Sequence, residues 1–159
     1  MATEADWAAY RTAVVDVEPP GGDRFRIVAA PPGTTGEWPD GLDPPVVVLT
    51  AWDPGSVRQE ESVNRARHDE LVAALAALTV SWWPATGRDP DGDHLEEGAA
   101  VTGLTVTDAL AMGRRFGQAA VYVWTPVAWQ VHSCTEDRTE TFGWVRRPVA
   151  PGPAPTGGT

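Results

Sequence analysis

The chain has 159 residues, the length of one domain of ordinary size. Its 22 acidic and 12 basic residues give a formal net charge of -10, so the chain as a whole repels a phosphate backbone and we expect no nucleic-acid partner. All the basic residues are arginines, which excludes Schiff-base chemistry on lysine and a lysine-bearing phosphate loop. The single cysteine, Cys134, excludes an internal disulfide and a multi-cysteine zinc site.

We expect one globular domain over residues 1–147 and a disordered tail over residues 148–159. The tail, PVAPGPAPTGGT, holds no large apolar residue after Val149 and cannot offset its ordering entropy. No apolar run approaches the roughly 20 residues that span a bilayer, and the acidic start MATEADWAAY is unlike a signal peptide. These features predict a cytoplasmic protein with no membrane partner.

The first third of the chain predicts a short helix that runs into a hairpin and then a long loop. Trp7, Tyr10 and Val14 recur at helical spacing, and the turn sequence EPPGGD separates the following strand from a return strand over residues 25–30. Five prolines mark residues 31–45 as a loop. The apolar run VVVLTA that follows predicts a strand buried on both faces.

The rest of the chain alternates helices and strands. Ser56 is the expected N-cap of a helix over residues 56–78, whose apolar residues form one stripe. Thr105 or Thr107 is expected to cap a second helix, which ends at Gly117. The other predicted elements, in chain order, are strands over residues 79–85, 99–104 and 119–124 and a final hairpin from strands over 129–132 and 142–145.

From residue 46 onward the predicted order is strand, helix, strand, strand, helix, strand. This is the ferredoxin-like split βαβ pattern, so we predict an α/β (α+β) fold in which a ferredoxin-like sheet is extended by an N-terminal β-hairpin. The strand over 46–51 is then interior, flanked by the strands over 99–104 and 119–124. A fold of this kind indicates no particular function, because it supports many.

This topology brings three polar segments to one end of the sheet, namely residues 52–54, 88–96 and 116–118. Arg88 is the best candidate for binding an anion, because a guanidinium can hold a carboxylate or phosphate through two parallel hydrogen bonds. The alternative is an ion pair with Asp89, Asp93 or Glu96 that only fixes the hairpin. The predicted ligand-binding residues are Trp52, Asp53, Asn64, Arg88, Glu96 and Gln118.

These segments also carry a resemblance to a known family. The sequence resembles the pattern of a bacterial family catalogued as domain of unknown function 3293, through TAWDPGS at 50–56, Asn64, GRDPDGDHLEEG at 87–98 and LAMGRRFGQAAVYVW at 110–124. The resemblance covers residues 46–124. The family pattern commonly has asparagine at the position of Asp53 and an aromatic residue near His94. It implies no activity, substrate or cofactor.

Alternating carboxylates in the stretch from Asp89 to Glu97 are typical of hard-cation ligands, but the spacing does not fit an EF-hand loop. Counted from Asp89, Gly92 is fourth and Ala100 is twelfth, whereas that loop needs glycine sixth and glutamate twelfth. An ordinary turn on a solvated hairpin explains the stretch. We therefore expect no metal site and no cofactor.

The predicted function is a small acidic binding domain that recognises a small anionic ligand or a protein partner at one end of its sheet. One alternative is a metal-independent enzyme in which Arg88 holds an anionic substrate and Glu96 or His94 transfers a proton. Another is an acidic inhibitor or mimic protein, for which the net charge is the argument. The sequence assigns no catalytic residue. A concave, partly dry pocket would favour the enzyme over the binding module.

Overall fold

The computed structural model describes residues 2–19, 21–91 and 94–149, which form three α-helices and eight β-strands. The helices are α1 (Glu4–Thr12), α2 (Glu61–Ala76) and α3 (Val106–Arg115), and a short 3-10 turn covers Pro54–Ser56. The strands are β1 (Val14–Val17), β2 (Phe25–Ala30), β3 (Val46–Thr50), β4 (Ser81–Arg88), β5 (Leu95–Thr102), β6 (Ala120–Thr125), β7 (Ala128–Ser133) and β8 (Thr139–Pro148). All strand pairs are antiparallel, in the order β1-β2-β8-β7-β6-β3-β5-β4, and β4 pairs with β1 to close a barrel.

The predicted ferredoxin-like fold is wrong, because the sheet closes on itself instead of remaining open. The four strands β3 to β6 do keep the expected neighbours, with β3 between β5 and β6 and β4 beyond β5. The two hairpins at either side then continue the sheet: β1 pairs with β4, β7 pairs with β6, and β2 joins β8 from Phe25–Pro148 to Ala30–Gly143. Closure pairs the backbone groups that an open sheet would leave along its edges.

Alternation along the strands separates the apolar residues into two cores, one on each side of the barrel wall. Val47 and Leu49 of β3 pack with α2 and α3, whereas Val46 and Val48 belong to the barrel interior. The helix-facing core also contains Leu71, Leu75, Ala99, Val101, Ala109 and Phe116. The interior core contains three fully buried tryptophans, Trp124, Trp129 and Trp144.

The ends of α2 and α3 can be compared with the capping residues predicted from the sequence. Ser56 is not an N-cap, because its φ of 61° is left-handed and an N-cap needs an extended backbone, so α2 begins five residues later at Glu61. The start of α3 is as expected, with the Thr105 hydroxyl accepting a hydrogen bond from the Asp108 amide. Gly117, with a φ of 70°, follows the end of α3 as predicted.

The last strand ends close to the end of the described residues. Strand β8 extends to Pro148, and residues 150–159 lie outside the described residues, so the disordered tail and the boundary at 147 stay predictions. None of the helices in the described ranges is long and apolar enough to cross a membrane.

Candidate functional site

A cavity of about 350 Å³ opens at the end of the barrel where β3 and β4 end and β6 begins. Its inner wall is apolar and includes Val15, Val48 and Ala85 of the barrel interior. Polar side chains from several elements complete the lining: Tyr10, Asp53, Arg88, His94, Glu96, Gln118 and Tyr122. The structure therefore brings the three segments that the topology argument placed at one end of the sheet to the rim of one cavity.

Asp53 is the most buried of these side chains. It is 5% exposed and has a left-handed backbone with φ 44°. Its amide donates to Asn64 Oδ1 at 2.8 Å, and its Oδ1 accepts hydrogen bonds from Asn64 Nδ2 and from the Gln59 amide, each at 2.8 Å. Asn64, on the first turn of α2, is itself buried. Asn64 of α2 and Gln59, two residues before the helix, thus fix Oδ1 of the Asp53 carboxylate, and Oδ2 lies towards His94.

His94 and Glu96 complete a cluster with Asp53. They flank Leu95 at the start of β5, and alternate residues of an extended chain share a face. His94 Nε2 lies 3.4 Å from Asp53 Oδ2 and 3.3 Å from Glu96 Oε1. Burial raises the pKa of the Glu96 carboxyl, and the neighbouring imidazole of His94 acts in the opposite direction. The cluster offers two carboxylates and one imidazole to whatever enters the cavity mouth.

Arg88 lines the cavity but its guanidinium is already paired. Its Nε lies 2.8 Å from Oδ2 of Asp16, a β1 residue that is 1% exposed. Arg26 of β2 donates to the same carboxylate, from Nε at 2.7 Å and from Nη2 at 3.1 Å. The sequence suggested Asp89, Asp93 or Glu96 as ion-pair partners, whereas among the described residues the partner is Asp16, because barrel closure places β1 beside β4. One of those expected partners, Asp93, lies outside the described residues.

Gln118 and Trp52 join two of the converging segments. Gln118 Nε2 donates to the backbone oxygen of Trp52 at 3.0 Å, and the Gly55 amide donates to the Gly117 oxygen at 2.8 Å. These bonds tie the loop after β3 to the start of β6. Trp52 lines a second, more polar cavity of about 470 Å³, whose wall also includes Asp53 and His94. The Arg65 guanidinium lies 5.5 Å from the centre of the Trp52 ring.

Comparison with known proteins bears on this same part of the chain. Residues 49–121 match the family described as "Protein of unknown function (DUF3293)". We call residues 49–121 the DUF3293 segment. A comparison with curated proteins finds no match, and neither does a comparison with solved structures. The resemblance expected from the sequence is confirmed, and the DUF3293 segment contains every ligand-binding residue that the sequence predicted.

Two cavity residues that the sequence analysis missed lie outside the DUF3293 segment. Tyr10 comes from α1, and burial raises its pKa to about 12. Tyr122 follows the matched residues in β6, and burial also raises its pKa, so both phenols stay protonated donors at neutral pH. Strict alternation in AVYVWT places Tyr122 on the same face as the interior Trp124, so its position could have been predicted from the sequence. No local pattern places Tyr10 over the cavity.

The charges around the cavity are predominantly acidic. The charged side chains that line it are Asp6, Asp53, Asp89, Glu96, Arg58 and Arg88, together with the titratable His94. One of the two arginines, Arg88, is paired with Asp16. This balance favours ligand groups that donate hydrogen bonds or carry positive charge over anionic groups.

Proposed function

We propose that the protein binds a small molecule in the cavity at the end of its barrel. The observation that carries the proposal is the shape and lining of that cavity. Its volume of about 350 Å³ falls within the roughly 300–1,000 Å³ that small-molecule sites occupy. It also combines an apolar wall with a few convergent polar groups, which is the composition of such sites.

The lining indicates the chemistry of the ligand. An apolar portion would contact Val15, Val48 and Ala85 on the inner wall. Amine, amide or hydroxyl donors would face the carboxylates of Asp53 and Glu96 at the mouth. The ligand we favour is therefore a compact molecule with an apolar body and a donor-bearing or cationic head.

The anionic ligand predicted from Arg88 stays a prediction. Binding an anion through Arg88 would require this guanidinium to be shared with, or released from, the buried Asp16. Arg58, which also lines the cavity, is the other available cation. A protein partner, a metal-independent enzyme and an acidic inhibitor or mimic likewise stay predictions.

The test is a binding screen on a panel of small amines, amides, sugars, carboxylates and phosphates, read by ligand-observed NMR with the purified full chain. Gly87 provides a matched pair of variants, because it lines the cavity and an added Cβ would meet only Glu96 O, at 3.9 Å. Gly87→Leu places four carbons in the cavity, and Gly87→Ala places one. Circular dichroism and thermal unfolding check that both variants fold.

We expect an amine or amide to bind the parent and Gly87→Ala with similar affinity and to lose at least tenfold in affinity for Gly87→Leu. If only carboxylates or phosphates bind, the ligand is an anion and the proposed donor-bearing ligand is wrong. The proposal is wrong if no compound binds the parent, or if the compounds that bind do so equally well to folded Gly87→Leu.

A further inference from the structure

The side chains of Asp53, His94 and Glu96 present three metal-ligating atoms that all lie within 4.8 Å of one another. The two distances from His94 Nε2, 3.4 Å to Asp53 Oδ2 and 3.3 Å to Glu96 Oε1, are informative. Two nitrogen or oxygen ligands held about 2.0–2.2 Å from one tetrahedral ion lie roughly 3.3–3.6 Å apart. The imidazole and each carboxylate are therefore spaced as ligands of a common ion.

The burial of Asp53 provides a second and independent observation. Its Oδ1 accepts two hydrogen bonds, whereas its Oδ2 accepts none from any donor in the described parts of the chain. No arginine within those parts lies at ion-pair distance from Asp53 or Glu96, although other carboxylates, such as Asp16 and Glu140, have arginine partners. A carboxylate that is 95% buried thus directs into the cluster an oxygen whose ion-pair neighbour, among the described residues, is the His94 imidazole and not an arginine.

We propose that Asp53, His94 and Glu96 bind a divalent transition-metal ion at the cavity mouth. A set of one imidazole nitrogen and two carboxylate oxygens suits Zn²⁺ or Mn²⁺. Three protein ligands leave coordination positions for water or a small molecule from the cavity, as in open metal sites. This site goes beyond the proposed small-molecule binding and does not depend on it.

The surroundings of Asp53 resemble the outer shell of a metal site. Metal-binding carboxylates are oriented by hydrogen bonds to their other oxygen, and Asn64 Nδ2 and the Gln59 amide make such bonds to Asp53 Oδ1. The sequence analysis expected no metal because it considered only the acidic stretch after β4. The third ligand, Asp53, comes from the loop after β3, and the fold brings it to the other two.

The experiment is isothermal titration of the untagged full chain, freed of metal with EDTA and dialysed, with ZnCl₂ and with MnCl₂. We expect one equivalent of Zn²⁺ or Mn²⁺ to bind, and Asp53→Asn, His94→Ala and Glu96→Gln each to weaken binding at least tenfold. Glu97→Gln is the matched control, because Glu97 is the next acidic residue on β5 and pairs with Arg65. It should change the affinity by less than about threefold. The other two histidines give further controls, His68→Ala and His132→Ala.

The site is disproved if neither ion binds the parent, or if binding survives in the three ligand variants while they remain folded by circular dichroism. Loss of Zn²⁺ binding in His68→Ala or His132→Ala, with binding retained in His94→Ala, would locate the ion elsewhere and also overturn it. Metal titration needs no small molecule, and the compound panel can be run on chelated protein. The metal site and the small-molecule site can therefore be disproved independently of each other.

Discussion

Asp16 and Asp53 are both buried aspartates near the same cavity, yet their carboxylates have different kinds of partner. Asp16, 1% exposed, has the guanidiniums of Arg26 and Arg88 within 3.1 Å of its oxygens. Asp53, 5% exposed, has an amide, a backbone N–H and a histidine 3.4 Å away. A buried carboxylate is stable only when its lost hydration is replaced. That replacement is complete at Asp16 and incomplete at Asp53.

The two aspartates differ because their partners come from different kinds of structure. Asp16 lies directly opposite Arg26 in the β1–β2 pairing, so the strand register itself supplies the first guanidinium. Asp53 lies in a loop, and its partners come from the start of α2 and from the residue before β5. The first arrangement stabilises the barrel wall, and the second leaves a carboxylate oxygen available at the cavity.

The largest effect should follow from neutralising the fully paired aspartate. We expect Asp16→Asn to lower the free energy of unfolding by about 3 kcal/mol, because it leaves two guanidiniums beside a neutral amide. Both guanidiniums keep some access to water, which holds the loss to the lower end of the range for buried pairs. Urea unfolding at pH 7 measures it, with the exposed Asp23→Asn as control. Equal losses for the two variants would contradict the importance of the pairing.

A smaller loss is expected when Asp53 loses the side chain that holds it. Asn64→Ala removes the acceptor for the Asp53 amide and a donor to Asp53 Oδ1, which should cost about 2 kcal/mol in urea unfolding. Asn64→Asp keeps the acceptor but sets a second carboxylate beside Asp53, so its loss at pH 7 should be at least as large. If Asn64→Asp is as stable as the parent, the idea that Asp53 lacks a compensating positive charge is wrong.

Glu140 extends the comparison to a more accessible carboxylate with two arginine partners. Arg11 and Arg138 lower its pKa to about 2, from a model-compound value of 4.5. Because the pKa is lower in the folded state, the stabilisation is present above pH 4.5 and is lost as the pH falls towards 2. Glu140→Gln should destabilise the protein by about 1 kcal/mol at pH 7, and the difference from the parent should shrink between pH 4.5 and 2. Thermal unfolding across this range measures it; a constant difference would count against the pairing.

The smallest effect should come from neutralising Asp53 itself. Asp53→Asn retains the Oδ1 acceptor, suits the left-handed backbone and leaves no arginine of the described residues without its partner. We expect the free energy of unfolding to change by less than about 0.5 kcal/mol in the same urea experiment used for Asp16→Asn. A loss near 3 kcal/mol would mean that the two aspartates are equivalent and that the contrast between them is false.

The sequence was most informative where one segment determines its own structure. Continuous apolar residues identified β3 as an interior strand, and the Thr105 cap and Gly117 bounded α3. Trp82 and Trp83 contact the two different cores, as adjacent residues on a strand must. The convergence of the segments after β3, after β4 and before β6 follows from element order alone, and so could be predicted.

Barrel closure and the pairing of Arg88 could not be predicted in this way. The alternation in FRIVAA and in TFGWVRR shows that each segment is a strand but does not specify its partner, so the pairing of β2 with β8 has no local signal. Asp16 becomes the partner of Arg88 only because closure sets β1 against β4. The DUF3293 match ends before β7, and the four closing strands lie outside it.

The pairing of β2 with β8 also determines when the barrel can be completed during synthesis. At about 5–20 residues per second, a ribosome needs roughly 5–20 s to add the residues between these two strands. Throughout that interval one side of β2 is an unpaired edge to which another nascent chain could add a strand. Arg24 and Arg26, which pair with Glu18 and Asp16, put charged side chains at the start of this edge, and charged side chains are one way in which edge strands avoid such pairing.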